Sequence, residues 1–205
     1  MVALAKEWRE FSTSAQEVVA GVDEVGRGAL FGPVVAAAVI LSTHALPELV
    51  ASSIKDSKQL SSSRRLLLAQ QICAVAVDWK IGYASTTEID SINILQASLL
   101  AMKRAVLKLK VQPTICWVDG NQPIPGLQIP QQTIVRGDSL ALCIAAASIV
   151  AKVWRDDLIT RLATKYPLYN LEQNKGYGTK QHLLALQQYG ASPLHRKSFS
   201  PCKVV

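Results

Sequence analysis

The sequence predicts an α/β domain built on a mixed sheet, and three observations carry that prediction. Two apolar runs, "VVAGVD" and "GPVVAAAVIL", flank a glycine-rich loop as the arms of a hairpin do. Strand-like and helix-like runs then alternate along the rest of the chain, the pattern of strands covered by helices. Finally, 49% of the 205 residues are hydrophobic and 18% charged, which supplies a substantial core and excludes wholesale disorder.

Taken in order, the first strand ends near Asp23, and the second follows the loop. "SSSRRLLLAQQICAVA" opens with serine caps and settles into helical spacing. "DWKIGYASTTEI" alternates as a third strand. "SINILQASLLAMKRAVLKLK" places Ile92, Leu95, Leu99, Met102, Val106 and Leu109 three or four apart, the stripe of an amphipathic helix whose apolar face packs into a core. "TICWVDG" reads as a buried strand stopping at Asp119 and Gly120. "NQPIPGLQIPQQ", with three prolines, is a loop. "TIVRGD" is a further short strand, and residues from Ser139 to about Tyr166 read as one long helix. After Pro167 the composition turns polar around one more short helix. The expected organisation is a main domain over residues 1–166 and a small C-terminal helical appendage over 167–205, packed on it.

A formal net charge of +7 favours an anionic partner, nucleic acid or a membrane surface. Lys6, Glu7, Arg9 and Glu10 interrupt any apolar run near the start, so no signal peptide is expected. The longest apolar stretch, Ala29 to Leu41, is too short to span a bilayer. Cys73, Cys116, Cys143 and Cys202 have no paired spacing and read as reduced, mostly buried thiols of a cytosolic protein. After Gly26 and Gly28 the next glycine is Gly32, so the loop fails the dinucleotide-binding spacing, and a strand rather than a helix follows it.

Acids stand at the strand ends, where a rigid sheet can fix side chains for chemistry. Asp23 closes the first strand, Asp119 a later one, and Asp138 lies between a short strand and the long helix. Taken singly, each is an ordinary turn-forming aspartate beside glycine. Together they suggest a shared carboxylate cluster. Glu24 follows Asp23, and in a regular strand the two side chains point to opposite faces, so sharing one site requires a bend at "VGRG". Such a cluster repels itself unless cations neutralise it, and oxygen-only ligands suit Mg²⁺ or Mn²⁺ rather than zinc. Two such ions suit phosphodiester cleavage. Asp156 is a weaker candidate. Eighteen positions after Asp138, it would sit roughly 27 Å further along an unbroken helix at 1.5 Å per residue, and is expected to pair with a base instead.

Six stretches in order, "GVDEVGRG…GPVVAAAVIL", "DSKQLS", "VDG", "RGDS…IAAASIVAKVWRD", "NKGYGTKQH" and "HRKSF", make the chain resemble the ribonuclease HII family, the type 2 ribonucleases H, over nearly its whole length. The resemblance implies a ribonuclease H-like mixed sheet flanked by helices. It also implies a metal-dependent endonuclease that hydrolyses the RNA strand of RNA–DNA hybrids. Such an enzyme incises at single ribonucleotides in duplex DNA, by a two-metal mechanism with Mn²⁺ or Mg²⁺ that leaves a 3′-hydroxyl and a 5′-phosphate. The implied setting is a cytoplasmic monomer serving replication and ribonucleotide excision repair. The family's acidic site falls on Asp23, Glu24, Asp119 and Asp138. Its glycine–arginine–glycine motif falls on Gly26, Arg27 and Gly28, which would contact the 2′-hydroxyl. Its tyrosine falls on Tyr177, expected to stack on the neighbouring deoxyribose, and Lys58 would meet a phosphate. Ala29 and Phe31 depart from the usual proline and alanine, and Arg136 stands where lysine is common.

Plainer roles stay open beside these. Lys58 can also be read as an exposed lysine and Tyr177 as an anchor for the appendage, while His182 and His195 read as structural hydrogen-bonding groups. Lys103, Arg104, Lys108 and Lys110 read as a solvated helix face. Two rivals differ in class: a catalytically dead binding module, against which the intact acid set argues, and a DNA resolvase, which would have no 2′-hydroxyl for the "GRG" loop to read.

Overall fold

The computed structural model describes residues 17–42, 49, 54 and 61–203. Five strands form one sheet, β1 (Val19–Val25), β2 (Val34–Leu41), β3 (Ala76–Ala84), β4 (Ile115–Asp119) and β5 (Gln131–Ile134), in the order β3-β2-β1-β4-β5. β1, β2 and β3 pair antiparallel, whereas β4 and β5 add in parallel. The sheet is therefore mixed, and the expected hairpin of β1 and β2 is present.

Apolar residues occupy both faces of β2 because both faces are covered. Ala36, Ala38 and Ile40 belong to the core under α2 (Thr86–Leu107). Ala37 and Val39, on the opposite face, pack with α1 (Ser62–Val75) and α4 (Leu142–Ala163). α4 lies tight against β1: a Cβ on Gly21 would overlap the backbone of Cys143, so only glycine allows this approach. No helix among the described residues is long and apolar enough to cross a membrane.

Several boundaries differ from the sequence-based expectation, each for a local reason. β3 stops at Ala84 because Ser85 and Glu88 form a reciprocal capping box that turns "TTEI" into the first turn of α2. Within α2, Asn93 takes a left-handed φ of 67°, and its side chain accepts the Leu95 and Gln96 N–H groups, restarting the helix. The restart shifts the apolar stripe, leaving Ile92 38% exposed while Leu99, Met102 and Val106 are buried. β5 begins at Gln131 and ends before the left-handed Arg136. The single long helix expected from Ser139 is instead a short α3 (Gly137–Leu140), an extended Ala141 and then α4.

Beyond Pro167 the chain forms a 3₁₀ turn, α5 (Leu171–Asn174), α6 (Lys180–Tyr189) and a last 3₁₀ turn. Tyr169, Leu171, Ala185 and Leu186 share one hydrophobic cluster with Leu30 and Phe31 of the β1–β2 loop and with Ile159 of α4. The edge of Phe31 meets Tyr166 and His195, so the aromatic ring at this family-atypical position serves as packing.

Candidate active site

Parallel pairing sets the ends of β1 and β4 side by side, and with them Asp23, Glu24 and Asp119. A cleft of about 530 Å³ opens there, lined by these three acids and by Asp138 of α3. All four sequence-predicted carboxylates thus line one cavity. The break at Ala141 places Asp138 on its own turn at the start of the α3–α4 pair, independent of α4's face. β1 stays extended and paired with β2 through Val25, and the bend expected at "VGRG" follows at once, with Gly26 at a φ of 89° and a turn at Arg27 and Gly28. The cleft lies across the strand's end, within reach of both side chains.

Asp23 is 5% exposed, and one of its carboxylate oxygens accepts the Glu24 N–H at 2.7 Å. Burial, then the Glu24 and Asp119 carboxylates, push its pKa well above the ordinary aspartate value, while a hydrogen bond from Ser148 of α4 opposes them. Burial also raises Glu24, against the pull of Arg27, whose Nη1 stands 3.2 Å from Oε1. Asp119 accepts the Gly137 N–H at 2.7 Å, which ties the end of β4 to the turn carrying Asp138.

Positive groups ring these acids. Arg27, Arg65, Arg136 and Lys152 line the same cleft, with Tyr177 on its wall. The Tyr177 ring has Lys152 Nζ and Arg155 Cζ each 5.5 Å from its centroid. Gly26 and Arg27 line the cleft, whereas Gly28 is exposed on the adjoining turn and is not part of the lining. Lys58 lies outside the described residues. Asp156 is paired with Lys152 at 2.8 Å and does not line the cleft. Arg65, Ser148 and Lys152 went unread in the sequence. Arg65 had only the "SSSRR" helix start as a signal, while Ser148 and Lys152 lie within the family stretch "IAAASIVAKVWRD" but carry no role there that the sequence shows.

His182 and His195 are structural. His182 Nδ1 lies 2.9 Å from the Tyr177 carbonyl, and its Nε2 lies 3.0 Å from His195 Nε2. Because that carbonyl can only accept, His182 is protonated at Nδ1 and accepts from His195 at Nε2; His195 Nδ1 in turn accepts the Ser192 N–H. The basic face of α2 is also partly engaged: Arg104 pairs with Glu88, and Lys108 donates to the Ile81 carbonyl.

Among the described residues, no three His, Cys, Asp or Glu side chains stand close enough to hold an ion as placed. The donor set nevertheless fits a hard divalent cation. It is all carboxylate oxygen, it lines one cleft, and burial, then its neighbours' charge, raises the pKa of its most buried member, a penalty that a cation would relieve.

This mixed sheet between helical layers, with carboxylates at neighbouring strand ends, defines a nuclease of ribonuclease H-like fold. The fold is shared with the ribonuclease H2 from Pyrococcus horikoshii OT3, at a TM-score of 0.77 and 26% identity over 90% of this chain and 95% of that one. It is shared also with Bst-RNase HIII solved in complex with Mn²⁺, at a TM-score of 0.76 and 19% identity over 91% of this chain and 68% of that one. The family model for ribonuclease HII matches residues 20–202. The ribonuclease HII of Nostoc sp. (strain PCC 7120) is 66% identical over 203 residues, covering 98% of this chain and 90% of that protein. The chain belongs to the ribonuclease HII family, and so is a metal-dependent endoribonuclease acting on the RNA strand of RNA–DNA hybrids.

Proposed function

We propose that the enzyme, besides cutting hybrids, incises duplex DNA at single embedded ribonucleotides. In this reading Asp23, Glu24, Asp119 and Asp138 hold two divalent ions, Mn²⁺ or Mg²⁺, and the products carry a 3′-hydroxyl and a 5′-phosphate. Two bound ions supply an activated water and a stabilised leaving oxygen. The chain's own residues do the rest. Arg27 and the backbone of the Gly26–Gly28 loop meet the ribose 2′-hydroxyl, which both donates and accepts hydrogen bonds. Tyr177 packs on the next sugar, while Lys58, with Arg65 and Lys152, grips phosphates.

One observation carries the reading: the acids wall a single cleft with Gly26, Arg27 and Tyr177, so the bond cut is the one beside the sugar read. This also accounts for acids adjoining a basic glycine loop in "GVDEVGRG", since the two neighbours serve different parts of one nucleotide. The segment over residues 167–205 then acts as a helical appendage that completes the recognition wall. Four free cysteines, three of them buried, support a cytoplasmic role in ribonucleotide excision and replication, and a monomeric state is testable by light scattering.

The deciding assay uses duplex DNA bearing one ribonucleotide, incubated with and without Mg²⁺ or Mn²⁺. A metal-dependent cut at that ribonucleotide, giving the stated ends, is expected, and Tyr177→Ala should reduce it more than it reduces cleavage of a long hybrid. An intact duplex under conditions where the hybrid is cut would end the single-ribonucleotide reading.

A further inference from the structure

Two arginines sit wholly inside the protein beneath the "GRG" loop, and neither forms an ion pair among the described residues. Arg155 of α4 and Arg196 are both 0% exposed. Burying a guanidinium without a carboxylate is expensive, and is tolerated where its N–H groups are otherwise met. Here backbone carbonyls meet them. Arg196 donates to Gly26 and Arg27 at 2.7 Å each and to Gly32 at 3.0 Å. Arg155 donates to Phe31 and Pro33 at the far side of the same loop, and to Lys175 two residues before Tyr177. Burial and the neighbouring Arg155 charge lower the Arg196 pKa to about 9.

From this geometry we infer that Arg196, braced by Arg155, is the positioning residue for ribose discrimination. Its planar fork draws the loop's carbonyls inward and so sets which backbone groups face the cleft. The inference rests on the proposed ribose-reading role of the loop. Three features support it. Gly26 adopts a φ of 89°, and a Cβ there would overlap the Arg155 side chain, so loop and guanidinium are fitted to each other. Leu30 N–H donates to the Gly176 carbonyl at 2.7 Å, so the segment carrying Tyr177 is tied to the same clamped loop. Finally, a lysine could keep the charge at position 196 but cannot span three carbonyls in one plane.

The test compares Kd for duplex DNA containing one ribonucleotide with Kd for the all-DNA duplex of the same sequence, in Ca²⁺, with the strands checked for cuts. The ratio of the two is insensitive to the fraction of folded protein, which a merely structural defect would change. Arg196→Lys should lower the preference for the ribonucleotide by about tenfold, the worth of one hydrogen bond, while leaving all-DNA affinity near wild type. Should Arg196→Lys not fold, Arg196→Met keeps the buried stem and removes both charge and donors, and the same loss is expected. A preserved ratio in a folded variant overturns the inference. A wild type with no preference instead overturns the ribose-reading role itself, so the two failures are distinguishable. A measurement on the unaltered protein stands beside these: backbone order parameters of Arg27 and Gly28 should match the rigid β1 value of about 0.85, and values below about 0.6 would contradict a clamped loop.

Discussion

The two walls of the cleft handle buried charge in opposite ways. At the strand ends, Asp23, Glu24 and Asp119 crowd together, and Asp23 is held well above its ordinary pKa by burial and by its neighbours. Beneath the recognition loop, Arg155 and Arg196 are more deeply buried still, yet each has three backbone carbonyls for its N–H groups. The first wall is frustrated without a cation, and its stress is available for binding one. The second is satisfied, and it is rigid because it is satisfied. On the proposed reading, chemistry sits where charge is left unbalanced, and recognition sits where the buried donors are met.

The comparison breaks most severely at Asp23. Asp23→Asn should lower hybrid cleavage roughly a thousandfold or more if, as proposed, it removes a ligand of the metals that activate the water and stabilise the leaving oxygen. The same substitution should raise the Tm of the metal-free protein, by about 3 °C for each kcal/mol of relieved repulsion. Steady-state rates and calorimetry read the two effects, and a fall in both activity and Tm would mean that the carboxylate stabilises the fold.

On the satisfied wall, Gly26→Ala should cost about 3 kcal/mol of stability, since a Cβ at positive φ strikes the Arg155 side chain. Urea denaturation measures this, and a loss below about 1 kcal/mol would show that the clamp yields easily.

Acid should loosen the recognition wall through His195, which is 1% exposed. Burial, then His182, bring its pKa from 6.5 to about 4, so the unfolded chain takes up a proton that the folded chain refuses. Stability contributed by the neutral ring is complete above pH 6.5 and declines as pH falls toward 4, by about 2 kcal/mol between pH 7 and 5. His195→Gln should flatten this part of the stability curve. Parallel curves for the two proteins would remove His195 as the source.

The smallest effect concerns Lys58. Lys58→Ala should reduce by about one unit the slope of log K against log salt for duplex binding, if one phosphate contact is lost. An unchanged slope returns Lys58 to solvent.

These walls were unequally legible in the sequence. An aspartate ending an apolar strand is conspicuous within a few residues, so Asp23, Asp119 and Asp138 could be picked out by local pattern, and the family motifs added Glu24, Gly26, Arg27 and Tyr177. Arg155 and Arg196 stand inside two of the family stretches, "IAAASIVAKVWRD" and "HRKSF", but nothing in those stretches tells what the guanidinium groups meet. Arg155 lies in a helix beside Asp156 and Asp157, where it resembles a surface residue, and two of its three carbonyl partners are some 120 positions away. Backbone acceptors have no sequence identity, so no spacing rule finds them. The helix breaks at Asn93 and Ala141 were hidden for the converse reason: hydrophobic period persists on both sides, and the interruption depends on one residue's backbone angles.

The bond from Arg196 to Gly26 also orders events in time. It joins positions 170 apart, whereas β1 and β2 meet across a short loop. Closing so long a stretch of chain has the larger entropic cost and waits on the elements between. A refolding chain should therefore regain its sheet before its loop is seated, passing through a stage in which the acids are gathered but the sugar cannot be read. Stopped-flow circular dichroism should recover ahead of the preference for ribonucleotide-containing duplex, and a single shared rate would show that sheet and loop form together.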